Sequence, residues 1–389
     1  MDNYRIIEVR DKKSRKEFLF LPVRLYKHEK NWIRPLDQDI EMVFDPNKNK
    51  FFRNGECIRW ILQNAKSETI GRIAAFYTDK LIKDKDQPTG GIGFFECLDD
   101  QEAANRLFDQ AKKWLKGKGM EAMDGPINFG ERNRWWGLLV DGFVEPSYCM
   151  AFNFIYYRNL FEKYGFQKYY EQYTYHRFIY KNLNPLFREK AERIAKNPRY
   201  HIKHLEMNKL EKHAEDFRII YNKAWVKHSG TYEFTRAHAK ALIDSMISII
   251  DPKLLWFTYF DDEPVAFFLA LPEINQIIKF LNGKMNLYGK LLFKYHQYRK
   301  TVNKAFALLY GVIPEHQGRG IEGAMTLAVA EVAWDPSFQY KEMEFSWIGD
   351  FNPTMIKLLD QLGATVCKTH ITYRYLFDRE KEVKPPPKL

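Results

Sequence analysis

Glycines flank an arginine between positions 317 and 323, where the residue pattern changes from strand to helix. The apolar run 305–312 predicts a buried strand, and the apolar spacing of 321–332 predicts a helix. Glycines let a ligand approach the backbone closely, and the N–H groups of a helix start attract anions. Arg319 adds positive charge. The segment therefore predicts a site for phosphate groups, but it lacks the lysine and Ser/Thr that an ATP- or GTP-binding loop needs.

A second strand-to-helix pattern follows further along the chain. Residues 342–348 predict a strand, and residues 352–363 predict a helix. Asn352 suits the N-cap of that helix, Pro353 suits its first position, and Gly363 suits its C-terminal stop. The order of the two patterns is more specific than either alone.

The first pattern, Val312-x-Pro-x-x-Gln-Gly-x-Gly320, resembles the pyrophosphate-binding motif of the GNAT superfamily of acyl-CoA-dependent N-acyltransferases. The Asn-led helix that ends at Gly363 resembles the second GNAT signature. The resemblance implies acyl-CoA, as acetyl-CoA or a longer acyl form, as the co-substrate. It also implies an amine acceptor, carried by a small molecule or a peptide. The coenzyme A ligands that it implies are Val312, Gln317, Gly318, Arg319, Gly320, Gly323 and Asn352.

Two positions differ from the usual GNAT pattern. Glu322 places a carboxylate where a small residue normally follows the last loop glycine, and Leu359 stands where many members have a tyrosine acid. Two functions therefore stay open. The chain is either an N-acyltransferase or a non-catalytic protein of the same fold that binds acyl-CoA or another small ligand.

The composition limits the remaining classes of function. The 389 residues suffice for two domains, and 45% of them are hydrophobic, enough for full cores. The formal net charge of +11 favours anionic partners such as coenzyme A. Nucleic-acid binding is a third class, but it rests on charge alone, so no nucleic acid is expected.

The sequence predicts a reduced, soluble, cytoplasmic protein without a metal. The four cysteines are far apart in sequence, and His201 and His204 form a lone His-x-x-His without a neighbouring cysteine. The start of the chain lacks the apolar segment of a signal peptide. No run reaches the ~18–20 apolar residues that a membrane span needs.

The second half of the chain echoes the first. Residues 160–166 match residues 358–364, and the step from Gly165 to Tyr175 equals the step from Gly363 to Tyr373. Each half also shows a strand hairpin, a third strand, a helix and a fourth strand in the same order. The paired strands and helices are 58–62 with 255–260, 69–77 with 264–271, 91–97 with 306–312, 101–116 with 321–332, and 120–123 with 341–347.

The repeat predicts a mixed α/β protein (α+β mixed) made of two tandem GNAT-like folds. The expected division is a degenerate domain at 1–180, a connector at 181–200, a domain with the acyl-CoA site at 201–379, and a tail at 380–389. The first copy is expected to have lost the cofactor, because Asp99 and Asp100 would repel a pyrophosphate at its helix start. Fem-type aminoacyl transferases and N-myristoyltransferase resemble this arrangement of one functional copy in two.

The segment 125–137 of the first half is a loop rich in glycine, tryptophan and charged residues. Function often concentrates on loops held by a rigid scaffold. The side chains expected to bind the acceptor here are Asn128, Glu131, Asn133 and Trp136. The alternative is a packed loop whose tryptophans fill the core.

Residues 276–300 are inserted between two predicted strands of the second half. Their apolar residues fall roughly on one helical face, with lysines and arginines nearby. Such a helix either docks on its own domain, or lies on a membrane or over an acyl chain.

Amide formation from a thioester needs a route for the amine proton and stabilisation of the oxyanion. Glu344 and Tyr310 lie on the two strands that would flank the thioester. Tyr373 supplies a further hydroxyl. These three residues are the catalytic candidates, each with a structural role as its alternative.

Overall fold

The computed structural model describes residues 4–79, 87–179, 185–225, 233–384 and 386. Positions 181–184 of the expected connector and most of the end of the expected tail (385 and 387–389) lie outside these residues. The described chain is a mixed α/β protein built on one 13-stranded sheet. The sequence-based fold class is therefore correct.

The first half contains seven strands and four helices among its described residues. The strands are β1 (Tyr4–Glu8), β2 (Gly55–Asn64), β3 (Thr69–Thr78), β4 (Thr89–Cys97), β5 (Ala122–Gly125), β6 (Leu138–Asp141) and β7 (Gln167–Phe178). The helices are α1 (Lys12–Leu25), α2 (Asp37–Val43), α3 (Gln101–Gly117) and α4 (Tyr157–Tyr164).

The described part of the second half contains six strands and seven helices. The strands are β8 (Tyr200–His204), β9 (Leu255–Phe260), β10 (Glu263–Pro272), β11 (Lys304–Val312), β12 (Glu342–Gly349) and β13 (Thr365–Leu376). The helices are α5 (Pro185–Ala195), α6 (Leu210–Trp225), α7 (Arg236–Met246), α8 (Asn275–Ile278), α9 (Leu287–Tyr298), α10 (Ile321–Ala333) and α11 (Pro353–Gln361).

The two halves repeat one order of strands and helices. In each half a strand and two helices precede an antiparallel hairpin, β2–β3 and β9–β10. A third antiparallel strand follows, and it runs parallel to the next, as β4 with β5 and β11 with β12. The turn of the second hairpin, predicted between the strands 255–260 and 264–271, lies at Asp261 and Asp262, and both residues have positive φ, which short aspartate side chains tolerate.

The last strand of each half lies in the sheet of the other half. The sheet order is β1-β2-β3-β4-β5-β13-β7-β12-β11-β10-β9-β8, with β6 beside β13. Strand β13 therefore pairs with β5 of the first half, while β7 pairs with β12 of the second. The two exchanged strands also pair with each other. The expected division of the chain at about residue 180 remains a proposal about where the repeats begin and end in sequence.

Each exchanged strand contributes a side chain to the hydrophobic core of the half whose sheet it joins. Tyr373 of β13 is buried with Phe161 in the core of the first half. Tyr175 of β7, its counterpart in the repeat, is buried with Leu327 of α10 and Leu359 of α11. Both tyrosines thus fill equivalent places in the half to which they do not belong by sequence, because burial depends on the neighbouring strands and not on chain position.

Candidate functional site

A wedge opens between β11 and β12 in the second half. The two parallel strands pair only from Lys304–Ala307 against Glu342–Phe345. Beyond those residues β11 continues to Val312 and β12 continues to Gly349, but the two strands no longer pair with each other. Unpaired strand edges expose backbone N–H and C=O groups that an extended ligand can use.

The glycine loop lies at the open end of this wedge and leads into α10. Gly318 and Gly320 have φ of +70° and +91°, a left-handed conformation that favours glycine, and no side chain caps the helix at Gly320. Among the described residues, the backbone N–H groups of 318–323 have no hydrogen-bond acceptor. The Gln317 side chain instead donates to the carbonyl of Val312 at 3.0 Å, which fixes the start of the loop. The N–H groups are therefore free to bind an anion.

The corresponding helix start in the first half is closed. The Asp100 carboxylate accepts hydrogen bonds from the backbone N–H groups of Glu102 at 2.9 Å and Ala103 at 3.1 Å. Its second oxygen accepts from the Tyr4 hydroxyl at 2.6 Å. Negative charge at a helix N-terminus is also favourable to the helix dipole. This end of α3 is capped by its own chain, and its carboxylate would repel a phosphate.

Tyr310 and Asn352 flank the wedge on its two sides. The Tyr310 hydroxyl is buried and has no hydrogen-bond partner among the described residues. Burial, with a further contribution from Glu322, raises the pKa of Tyr310 well above its usual value, so the hydroxyl stays protonated as a donor. Asn352 caps α11 by accepting from the Met355 N–H at 3.2 Å, as expected.

Glu344 lies in a buried ion cluster instead of at a solvent-accessible site. Its carboxylate accepts from the Lys368 ammonium at 2.6 Å, the Lys304 ammonium at 2.7 Å and the Ser147 hydroxyl. Burial opposes ionisation, but the two ammonium groups outweigh it and lower the pKa of Glu344 to about 2. Such a carboxylate is a poor proton acceptor near neutral pH. The geometry therefore gives no support to the expected role of Glu344 as a base.

Tyr373 is not near the wedge. Strand exchange carries it into the first half, where it is 1% exposed and its hydroxyl donates to Glu162 at 2.8 Å. Burial and that hydrogen bond raise the pKa of Tyr373. The structure thus gives no support to its expected catalytic role: Tyr373 lies in the core of the first half because β13 joins that half of the sheet, and the sequence could not show this exchange.

The loop 125–137 reaches the second half. The backbone carbonyl of Arg132 accepts from the indole N–H of Trp347 at 2.9 Å, and Trp136 donates to the Tyr170 hydroxyl at 2.8 Å. The other proposed acceptor ligands are dispersed. Glu131 is exposed and pairs with Lys50, Asn133 is exposed, and Asn128 is buried with an unpartnered side-chain oxygen. The structure therefore does not gather the four side chains into one pocket.

A cavity of about 90 Å³ lies in the first half, behind the same loop. Seven of its 25 lining residues are aromatic, among them Trp32, Phe94, Trp135 and Phe152, and we call it the aromatic cavity; the lining also contains the charged residues Arg34, Asp37, Arg72 and Glu96. The Trp135 ring packs against that of Phe94 with centroids 5.4 Å apart. The aromatic part of the lining suits an apolar group. The sequence indicated tryptophans in the core, but it could not show that Trp135, and not Trp136, lines the cavity.

Glu273 is a functional candidate that the sequence analysis missed. It is 3% exposed, and one carboxyl oxygen accepts from the backbone N–H groups of Tyr148 at 2.9 Å and Asn275 at 3.0 Å. Both of these residues line the cavity. The other carboxyl oxygen has no partner among the described residues. Burial, together with nearby Glu344, raises the pKa of Glu273 to about 7.

Comparison with solved structures identifies the architecture. The tandem GNAT protein from the clavulanic acid biosynthesis pathway aligns with a TM-score of 0.56 over 96% of this chain and 98% of that chain, at 7% sequence identity. The chain has a tandem GNAT fold. A glucosamine N-acetyltransferase region of a fungal multi-domain β-N-acetylglucosaminidase aligns with a TM-score of 0.55 over 96% of this chain, at 9% identity. The chain spans 38% of that longer protein.

A relative of this chain is recognisable by sequence. A protein named bacterial ceramide synthase from Caulobacter vibrioides (strain NA1000 / CB15N) is 29% identical over 380 residues, which cover 95% of this chain and 96% of that protein. No protein-family model matches the chain. The similarity extends over both halves and is not confined to the glycine loop.

Two further observations concern the described part of the tandem GNAT fold. None of its helices is long and apolar enough to cross a membrane. Within the same residues, no group of three or more His, Cys, Asp or Glu side chains is placed to hold a metal ion.

Proposed function

We propose that the protein is an acyl-CoA-dependent N-acyltransferase whose second half holds the acyl-CoA. The observation that carries the proposal is the contrast between two equivalent helix starts. Among the described residues, the N–H groups of 318–323 at the start of α10 have no acceptor, whereas at the start of α3 Asp100 accepts from the N–H groups of Glu102 and Ala103. Only the first arrangement leaves room for a pyrophosphate. Because acyl-CoA would be supplied in the cytoplasm, the reaction would take place there.

In this proposal the pyrophosphate binds the loop amides from Gln317 to Gly323, with Arg319 as a counter-charge. The pantetheine arm lies along the unpaired edge of β11 that ends at Val312, and Asn352 contacts it with its free amide N–H. The thioester then lies at the closed end of the wedge. The buried Tyr310 hydroxyl has no partner within the described part of the chain, so it can donate a hydrogen bond to the oxyanion or to the leaving thiolate.

We further propose that the acceptor is an amine that carries a long apolar chain. The relative from Caulobacter is named for ceramide, which is the amide of a long-chain amino alcohol and a fatty acid. The aromatic cavity behind Trp135 is a suitable place for part of such a chain. The amine would then approach the thioester from the boundary between the halves.

The reaction needs a proton acceptor on this path. The amine nitrogen attacks the thioester carbonyl, the C–S bond breaks, and coenzyme A leaves as the thiolate while the amine loses a proton. Glu273 is suited to take that proton, because its pKa of about 7 lies near neutral pH and one of its carboxyl oxygens has no partner among the residues that the structure describes. The protonated carboxyl would return the proton to the thiolate.

The alternative is a binding protein of the same fold without catalysis. Two observations favour it. Leu359 is 2% exposed and packed in a core, so no hydroxyl acid stands at that position. Glu322 places a carboxylate in the first turn of α10, which weakens anion binding there.

Calorimetry with coenzyme A tests the cofactor site. Arg319→Glu and Gly320→Asp should each weaken binding by ~10-fold or more, since each places a carboxylate at the phosphate site. Gly363→Asp is the matched control, because Gly363 has positive φ like Gly320, and the space around Gly363 is open. Asp99→Ala is the control in the first half, and it should leave coenzyme A binding unaltered. Tight binding that both loop variants retain would remove the site from the proposal.

Turnover separates enzyme from binding protein and tests the acceptor. Acetyl- and longer acyl-CoA would be offered with long-chain amino alcohols, short amines, amino sugars, polyamines and peptides. The proposal expects amide formation with the long-chain amines. Ala151→Phe, which adds a ring inside the cavity, should lower kcat/KM for long chains more than for short ones. Coenzyme A binding without turnover of any amine would favour the alternative.

A further inference from the structure

Helix α9 presents its apolar face to solvent. Leu287, Leu291 and Tyr298 are 76%, 60% and 86% exposed, and Tyr288 and Tyr295 are exposed to a similar degree. Surface helices of globular proteins normally turn their apolar stripe inward. Here the exposed residues form one continuous arc of ~100°, given the about 3.6 residues per helical turn.

The opposite side of α9 attaches the helix to the protein. Leu292 and Phe293 pack against a buried cluster that contains Ile33, Leu36 and Ile278. Gly289 is buried, and the Asn286 side chain caps the helix by accepting the Gly289 N–H at 3.0 Å. The exposed arc is therefore held outward by packing on the other side, and it is not a frayed segment.

Positive charge surrounds the exposed arc. On a helical wheel Lys290 and Lys294 flank it on one side and Arg299 on the other, while Lys284 and Lys300 lie at the two ends. All five side chains are exposed, and within the described residues none of them has an ion pair. Residues 274–303 contain six Lys and Arg and no Asp or Glu. An apolar face rimmed by unpaired cations complements an anionic lipid surface.

The helix lies next to the rim of the aromatic cavity. Arg34, which lines the cavity, donates to the Asn282 side chain at 3.1 Å. The backbone N–H of Asp37, another lining residue, donates to the Gly283 carbonyl at 2.9 Å. Ile33 joins the cavity lining to the cluster under α9. A surface that bound to α9 would therefore lie close to the lining of the cavity.

We propose that α9 docks the protein on the surface of an anionic bilayer, with Leu287, Leu291, Tyr295 and Tyr298 inserted among the lipid headgroups. The flanking lysines and Arg299 bind lipid phosphates. The docking itself does not depend on the reaction. Its consequence for substrate delivery rests on the proposed function: a long-chain amine held in the bilayer would reach the cavity without crossing water.

Vesicle co-sedimentation in the absence of acyl-CoA tests the docking. The full chain should bind phosphatidylcholine vesicles that contain phosphatidylglycerol, bind pure phosphatidylcholine weakly, and release as salt is raised. Leu291→Gln with Tyr298→Gln should lower the affinity by ~10-fold or more through loss of apolar insertion. Lys290→Glu with Lys294→Glu should lower it by a similar factor on the anionic vesicles only.

The matched control is Lys113→Glu with Lys116→Glu on α3, which changes the net charge equally at two exposed positions of another helix. Equal loss of binding by the α3 and α9 charge variants would overturn the proposal, because binding would then follow net charge alone. No vesicle binding would overturn it as well. Self-association that Leu291→Gln abolishes in sedimentation velocity would instead assign the face to a second copy of the chain. None of these results depends on turnover, so they leave the proposed reaction to its own tests.

Discussion

The ammonium of Lys368 lies 2.6 Å from a carboxylate oxygen of Glu344, and both side chains are almost fully buried. Lys368 is on the exchanged strand β13, and Glu344 is on β12. Strand β7 lies between them in the sheet order, so the pair reaches across it. Ser147, from a loop of the first half, binds the same carboxylate. The cluster therefore links the two halves at the point where their last strands cross.

Lys368→Met should destabilise the protein by ~3 kcal/mol or more, because it leaves the Glu344 carboxylate buried with one fewer cation. Lys304→Met is the comparison, since Lys304 contacts the same carboxylate but is 18% exposed against 2% for Lys368. Urea unfolding should show the smaller loss for Lys304→Met. Equal losses of stability in the two variants would mean that the burial of the lysine does not determine how much stability is lost.

Glu344→Gln separates a structural role from a catalytic one. Because the pKa of about 2 makes Glu344 a weak base, we expect the melting temperature to fall while turnover per folded molecule stays within ~10-fold of wild type. A fall in kcat of ~10²-fold or more at unchanged stability would restore Glu344 as the base.

Glu273→Gln should change how stability depends on pH. The pKa of Glu273 is raised from 4.5 to about 7 in the folded protein, so its contribution is fully present below about pH 4.5 and lost as pH rises through about 7. The glutamine variant should therefore gain stability relative to wild type as pH rises between those values, by on the order of 3 kcal/mol. Urea midpoints at a series of pH values measure this. If the urea midpoints of wild type and Glu273→Gln changed with pH in the same way, the Glu273 carboxyl would not hold its proton in the folded state.

Asp100→Ala should lower stability by ~1 kcal/mol through loss of the α3 cap, without altering coenzyme A affinity. Asp99→Ala is the neighbouring control, because Asp99 is exposed and has no hydrogen bond within the described chain. Denaturant unfolding and calorimetry measure the two quantities. Coenzyme A binding that changes with Asp100→Ala would place a ligand at the first half as well.

The sequence was sufficient to predict those features that depend only on adjacent residues. The glycine loop, the Asn352 cap and the Asp261-Asp262 hairpin each follow from the conformation or hydrogen bonding of a few adjacent residues. The repeat indicated the tandem architecture because matched spacings keep matched strands. The insertion at 276–300 was predicted as an amphipathic helix, but periodicity alone could not show which face points outward.

Features that depend on distant neighbours could not be read in the same way. The apolar pattern of β13 predicts a strand, but it does not say which strand lies beside it, so Tyr373 was placed in the wrong half. Glu344 was recognised as a strand residue, whereas its partners come from positions 147, 304 and 368. Glu273 gave no signal in the sequence, because its raised pKa comes from burial at the junction of the halves.

The exchange of β7 and β13 also means that the sheet of the first half cannot be completed until the end of the chain has been translated. When the first 179 residues have left the ribosome, the strand that completes their sheet between β5 and β7 has not yet been translated. The nascent first half must keep that edge open until the final residues of β13 emerge, and an open edge invites pairing with other chains. Separately expressed halves should consequently be poorly soluble, and they should recover a native sheet only when they are produced together.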